Sequence, residues 1–277
     1  MKNVLTPVEL HSTIDSTFAT ALLFARRFDG YIEGMPLGPD MPDLVAFDMP
    51  VSWTVADQQT WKEMAEESRR HFEQFMGAAG VPSHEAAPDR LSWGWAGESS
   101  FGDSHVSSHA RLFDICVLGR PGAERGDARM ATAESVLFDS GRPILIAPPI
   151  APKTLGDTIV IAWNQSMETS RATAMAMPAL RKANKVFVLT IPEQKVDGPT
   201  GDQMAHNLRA NGVPAEAVER SGKSKGHGEA IIEAAAALGA DLLVKGAYTQ
   251  SRLRQMIFGG ATSYILAKAN LPVLMSS

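Results

Sequence analysis

Apolar residues fall into two kinds of run that alternate along the chain. Short continuous runs at 115–118, 144–146, 158–162, 186–189, 242–244 and 273–275 have the length and β-branched content of strands buried on both faces. Between them, apolar residues recur every three or four positions. Phe18, Ala21, Leu22, Ala25 and Phe28 share one helical face, Trp61, Met64, Ala65, Phe72, Phe75 and Met76 a second, and Ile231, Ile232, Ala235 and Leu238 a third. The spacing predicts helices over 14–28, 61–76, 103–112, 166–180, 200–211 and 229–238, and one that closes over 134–140. Val4-Leu5 predicts a first strand ended by Pro7, Tyr31 to Met35 a second, and Trp93 and Trp95 lie in a third between 84 and 101. Residues 36–55, with Pro36, Pro39, Pro42 and Pro50, read as a loop.

The pattern then repeats. Asp114-Ile-Cys-Val-Leu-Gly119 aligns with Asp241-Leu-Leu-Val-Lys-Gly246, and Val136-Leu137 before Pro143-Ile144-Leu145 aligns with Ile265-Leu266 before Pro272-Val273-Leu274. Gly80-Val81-Pro82 is echoed by Gly212-Val213-Pro214. A period of well over a hundred residues exceeds that of any solenoid and means a duplicated domain. Strands alternating with helices give an α/β fold, with a doubly wound, Rossmann-like parallel sheet in each copy. The expected domains are 1–150 and 151–277, joined by the stiff stretch containing Pro148, Pro149 and Pro152. The closing strands 144–146 and 273–275 are expected to form or border a shared interface, as an intrachain pseudo-dimer.

Composition narrows the function. With 277 residues, 44% hydrophobic and 21% charged, the chain has the make-up of an ordinary globular protein with room for two cores. A net charge of −5 argues against a nucleic-acid partner. Cys116 is the single cysteine, which excludes an intrachain disulfide and fits a reducing compartment. No apolar run reaches the ~18 residues of a membrane span, and the opening Met1 to Pro7 shows no signal-peptide core. The expected location is cytoplasmic, with no membrane partner.

The densest chemistry is in the last forty residues. Leu242 to Val244 leads to Gly246; Gly259-Gly260 opens a helix that Asn270 and Pro272 stop; Val273 to Met275 closes the chain. Strand, glycine turn and glycine-led helix start offer backbone N–H groups and a helix N-terminus to a phosphate. These residues resemble the universal stress protein family, whose nucleotide motif is Gly, two residues, Gly, nine residues, Gly, then Ser or Thr. Gly246 and Gly259 occupy the first and third glycine positions, Thr249 the second, and Gly260 the Ser or Thr position. The resemblance implies a stress-response binding or regulatory module, with ATP or a related adenine nucleotide as candidate ligand and no metal assigned. It places Gly246, Tyr248, Thr249, Arg252, Gly259, Gly260, Ala261 and Thr262 around the phosphates. Ala162, Trp163 and Asn164 would line the nucleotide from the loop after residues 158–162, and Thr190 and Ile191 would border the base. Asn164 would either meet a ribose hydroxyl or cap the following helix. Arg254 joins Arg252 as a further charge near the phosphates. Whole-chain pairing into a homodimer is a further implication.

Other motifs are weaker. Gly119-Arg-Pro-Gly122 begins the same motif in the first copy, but Thr132 stands where its third glycine belongs, so that copy is expected to bind no nucleotide. Gly222-Lys223-Ser224 resembles the end of a Walker loop, yet Ala217 replaces the required glycine. His105 and His109 are spaced to share a metal but have no third ligand nearby in sequence. No catalytic constellation is recognisable, which leaves three readings open: nucleotide-binding module, interaction protein with degenerate sites, and weak ATPase.

Overall fold

The computed structural model describes residues 1–38, 55–97, 102–122, 126–222, 226–247 and 260–277. The first half runs β1 (Asn3–Val8), α1 (Ile14–Phe28), β2 (Tyr31–Pro36), α2 (Val55–Ala78), β3 (Ser92–Trp95), α3 (Gly102–Ala110), β4 (Ile115–Leu118), α4 (Met130–Asp139) and β5 (Ile144–Ile146). The second runs β6 (Thr158–Ala162), α5 (Met167–Leu180), β7 (Lys185–Thr190), α6 (Gly201–Ala210), β8 (Ala215–Glu219), α7 (His227–Ala237), β9 (Leu242–Gly246), α8 (Gly260–Lys268) and β10 (Val273–Ser276), with a short 3-10 turn at Pro192–Gln194. All ten strands join one sheet in the order β3-β2-β1-β4-β5-β10-β9-β6-β7-β8. Each half therefore contributes the same five-strand order, and the halves meet at β5 and β10.

Among the described residues that joint is the one antiparallel strand pairing, with Leu274 opposite Leu145, Val273 opposite Ile146 and Met275 opposite Ile144. All six side chains are at most 2% exposed. Because the pairing reverses direction, the carboxyl ends of the parallel strands lie on opposite edges of the sheet in the two halves. Side chains alternate between two apolar layers. Helices α1, α2, α5 and α6 cover one face, through residues such as Phe18, Phe72, Ala176 and Leu208. Helices α3, α4, α7 and α8 cover the other, through Val106, Leu137, Ile231 and Ile265. The first face is locked across the halves: Arg27 Nη1 meets Asp157 Oδ1 at 2.7 Å, and Arg27 Nη2 donates to the Lys182 carbonyl at 2.8 Å.

The duplication extends to devices that fix the strands. Asp114 Oδ2 accepts from the backbone N–H groups of Lys2 and Asn3 at 2.7 and 3.0 Å, tying the start of β4 to the start of β1. Asp241 does the same in the second half, accepting from Gly156, Asp157 and Thr158. The echoed Gly-Val-Pro segments close α2 and α6 alike, with Gly80 and Gly212 at φ of 68° and 79°, the left-handed stop that glycine takes without a Cβ penalty.

Of the stretch 36–55 read as a loop, Pro36 belongs to β2, Val55 opens α2 ahead of Trp61, and 39–54 lie outside the described residues. Two strands also differ from the sequence reading. β1 continues through Pro7, because its ladder to β4 covers only Val4 and Leu5; past that point a missing N–H is tolerated on the unpaired side. The edge strand β8, Ala215-Glu-Ala-Val-Glu219, has too few apolar residues to show as a run, since only one of its sides and one of its edges meets the protein.

Candidate functional site

In each half the chain winds first to one side of the opening strand and then to the other. The helices leaving β6 and β9 lie on opposite faces of the sheet, although these strands are neighbours, with Ile161 paired to Val244. Open α/β sheets bind ligands at such a switch point, outside the carboxyl ends of the strands. In the second half it is bounded by Ala162, by the β9 end at Lys245 and Gly246, and by the start of α8.

Gly246 is required there by close approach. A Cβ at this position would meet the backbone of the first turn of α5, 2.5 Å from the Glu168 carbonyl carbon. That turn is held by Ser166, whose Oγ caps the Thr169 N–H at 3.3 Å. Asn164 braces the same turn: its Oδ1 accepts from Thr169 Oγ1 at 2.6 Å and from the Ser166 N–H at 3.3 Å. The cap of α5 is Ser166 and not Asn164, whose side-chain oxygen braces the capped turn. Gly260 and Ala261 open α8, and among the described residues no atom lies within 4 Å of a would-be Cβ at Gly260, so none of them obstructs a serine there. Ala162, Asn164, Gly246, Gly260, Ala261 and Thr262 therefore cluster at the switch point.

The remaining expected residues divide. Trp163 is 2% exposed in the α5 and α6 layer, with Nε1 donating to the Pro199 carbonyl at 2.9 Å; it builds the core under the site. Thr190 turns its hydroxyl beneath the start of α6, where a Cβ on Gly201 would lie 2.8 Å from it. Ile191 packs into the opposite layer beside Ala230. Tyr248, Thr249, Arg252, Arg254 and Gly259 lie outside the described residues, as do Lys223 and Ser224 of the Walker-like segment.

One residue at the site was not anticipated. Lys245, in the last turn of the apolar β9 run, points into the α7 and α8 layer and donates to the Gly246 carbonyl and to Thr262 Oγ1, each at 2.8 Å. Its side chain is partly buried, and desolvation pulls its pKa from the usual lysine range to about 8. Its signal in the sequence was a lysine inside Leu-Leu-Val-Lys-Gly, where the first half has leucine.

The first half fills its own switch point. The His11 ring packs against Gly119, 2.6 Å from a would-be Cβ, and Asp127 closes over Gly122. Arg129 stands at the start of α4. Its Nε lies 3.1 Å from Glu9 Oε1, in ion-pair range though off hydrogen-bond alignment, and its Nη2 donates to the Gly38 carbonyl at 2.8 Å. Asp103 adds a second carboxylate 3.8 Å from Arg129 and accepts from Thr132 Oγ1 at 2.6 Å. Burial raises the Glu9 pKa, against the pull of Arg129. Elsewhere, His109 Nε2 meets Glu33 Oε1 at 2.7 Å and stacks on His105. Among the described residues, no three His, Cys, Asp or Glu side chains group to hold a metal. None of the described helices is long and apolar enough to cross a membrane.

Comparison with known proteins agrees with this geometry. The model of the universal stress protein family matches residues 157–277. The second half of the chain belongs to that family. The stress response protein NhaX of Bacillus subtilis (strain 168) is 27% identical over 157 residues, which are 50% of this chain and 94% of NhaX. A universal stress protein from Archaeoglobus fulgidus DSM 4304 covers 99% of this chain and 96% of its own, with a TM-score of 0.70 and 18% identity. The whole chain thus has the fold of two universal stress protein halves in tandem. A universal stress protein solved in complex with cAMP matches 44% of this chain and 96% of its own, at 20% identity and a TM-score of 0.34.

Proposed function

We propose that this universal stress protein is a stress-response binding module that holds ATP or a related adenine nucleotide in its second half, within a cytoplasmic chain folded as an intrachain pseudo-dimer of domains 1–150 and 151–277. The contrast between the two switch points carries the reading. The first is occupied by the chain's own Arg129, Glu9, Asp103 and His11. The second keeps the close glycine turn at Gly246, the braced Asn164 loop and a helix start with no acidic residue in its first turn. Such a surface suits an anion joined to a ring system.

Thr249 tests this assignment, because it stands where the family motif has glycine. A threonine held at positive φ costs on the order of 1–3 kcal/mol, which is about one to two orders of magnitude in affinity when it falls on the bound state. Thr249→Gly should tighten ATP binding by about 10- to 100-fold in calorimetric titration. If neither wild type nor variant binds ATP, the second half is not a nucleotide site, and the chain is an interaction protein.

A further inference from the structure

The Lys245 ammonium is out of keeping with the fold around it. At the equivalent position of the first half stands Leu118, 5% exposed, and in the same apolar layer Ala133, 2% exposed, matches Thr262 in the repeat. The same strand end therefore packs well with apolar side chains, and Lys245 is dispensable to the architecture. It is also poorly matched electrically. The start of α8 lies beside it, and that of α7 lies close by, since a Cβ at Gly228 would sit 2.7 Å from the Ala261 carbonyl oxygen. Helix N-termini carry positive potential, so a partly buried cation among them adds to the same sign. The first half neutralises Arg129 with Glu9 and Asp103; among the described residues Lys245 meets only the neutral acceptors Gly246 O and Thr262 Oγ1, which leaves its third N–H for a further partner.

We infer that Lys245 is the cationic anchor of a phosphate subsite, receiving a phosphoryl oxygen between the end of β9 and the start of α8, with Thr262 holding the ammonium in place. This deepens the nucleotide reading and rests on it for the source of the phosphate. The side chain combines lost hydration with partial access, the condition under which an ammonium gains most from an anionic partner. A structural lysine would instead be expected to have a carboxylate partner or to extend its head into water.

The test compares the full-length wild type, Lys245→Met and Lys245→Arg, titrated calorimetrically with ATP, adenosine and inorganic tripolyphosphate. Lys245→Met should lose at least about tenfold in affinity for ATP and tripolyphosphate, as expected for a charge-assisted contact, while adenosine binding stays unchanged. Its urea midpoint should equal or exceed that of wild type, because a desolvated charge has been removed. Lys245→Arg should bind within about threefold of wild type, since it keeps the charge. Unchanged ATP and tripolyphosphate binding in Lys245→Met overturns the inference and leaves the nucleotide reading standing. Equal losses in the Met and Arg variants make the effect steric and also overturn it. Tripolyphosphate binding that depends on Lys245, without adenosine binding or preference for ATP, supports the anchor and removes the adenine reading. No binding of any ligand by wild type overturns both.

Discussion

Gly246→Val should destabilise the protein by about 3 kcal/mol, the upper end of the usual range for overpacking a buried site. The obstacle is backbone, the first turn of α5 at Glu168 and Thr169, and not a side chain that swings away. Relief requires β9 or α5 to shift, and β9 is held on both sides by β6 and β10. The same shift would pull Thr169 from Asn164 Oδ1 and from the Ser166 cap. Urea denaturation read by circular dichroism checks this. A midpoint within error of wild type would show that the turn is loose and that the close approach at the switch point is not a constraint. Gly260→Ala is the internal contrast: with none of the described residues in the way of a Cβ, this change should be neutral or slightly stabilising.

The chain cut at residue 150 should not yield two stable monomers. Residues 1–150 alone would expose the edge of β5, and residues 151–277 the edge of β10, where Leu145 and Leu274 are fully buried in the intact chain. Bare apolar edges pair with whatever strand is available. Separation would also break the Arg27–Asp157 ion pair and the hydrogen bond from Lys182 to the Arg27 carbonyl, and uncover Phe28 beneath the Lys182 ammonium. Light scattering after size exclusion should find each piece self-associated or aggregated. Two monodisperse monomers, each with its own cooperative unfolding transition, would mean that the joint contributes little and that the halves are merely tethered.

Much of this was legible in the residues, for physical reasons that also explain the remainder. Central parallel strands bury both faces, so β4 to β7, β9 and β10 declare themselves as apolar runs, and the duplicated Asp and Gly positions reveal the repeat. An edge strand such as β8 owes its place to backbone pairing with β7, and backbone pairing leaves no mark on composition. The glycine turn was legible as a site because it has one chemical reading. Asn164 had two, and only the Thr169 distance shows which role its oxygen fills. The self-filled first pocket was legible only as a missing glycine; that Glu9, His11, Asp103 and Arg129 converge from three segments is a property of the fold. Lys245 was visible as a cation in an apolar run, but its equivalence to Leu118 gains meaning only once Thr262 is seen opposite.

The proposed function requires one nucleotide site per chain, located in the second half. Calorimetric titration of ATP into the full-length protein and its Gly119→Val variant measures this directly. That substitution crowds the first switch point, where the nearest atoms to a Cβ, on the His11 ring and Ala128, all belong to the first half. The predicted result is a stoichiometry of about one ATP per chain in both proteins, with affinities equal within error. Two sites per chain, no saturable binding, or an affinity that falls with Gly119→Val would contradict it.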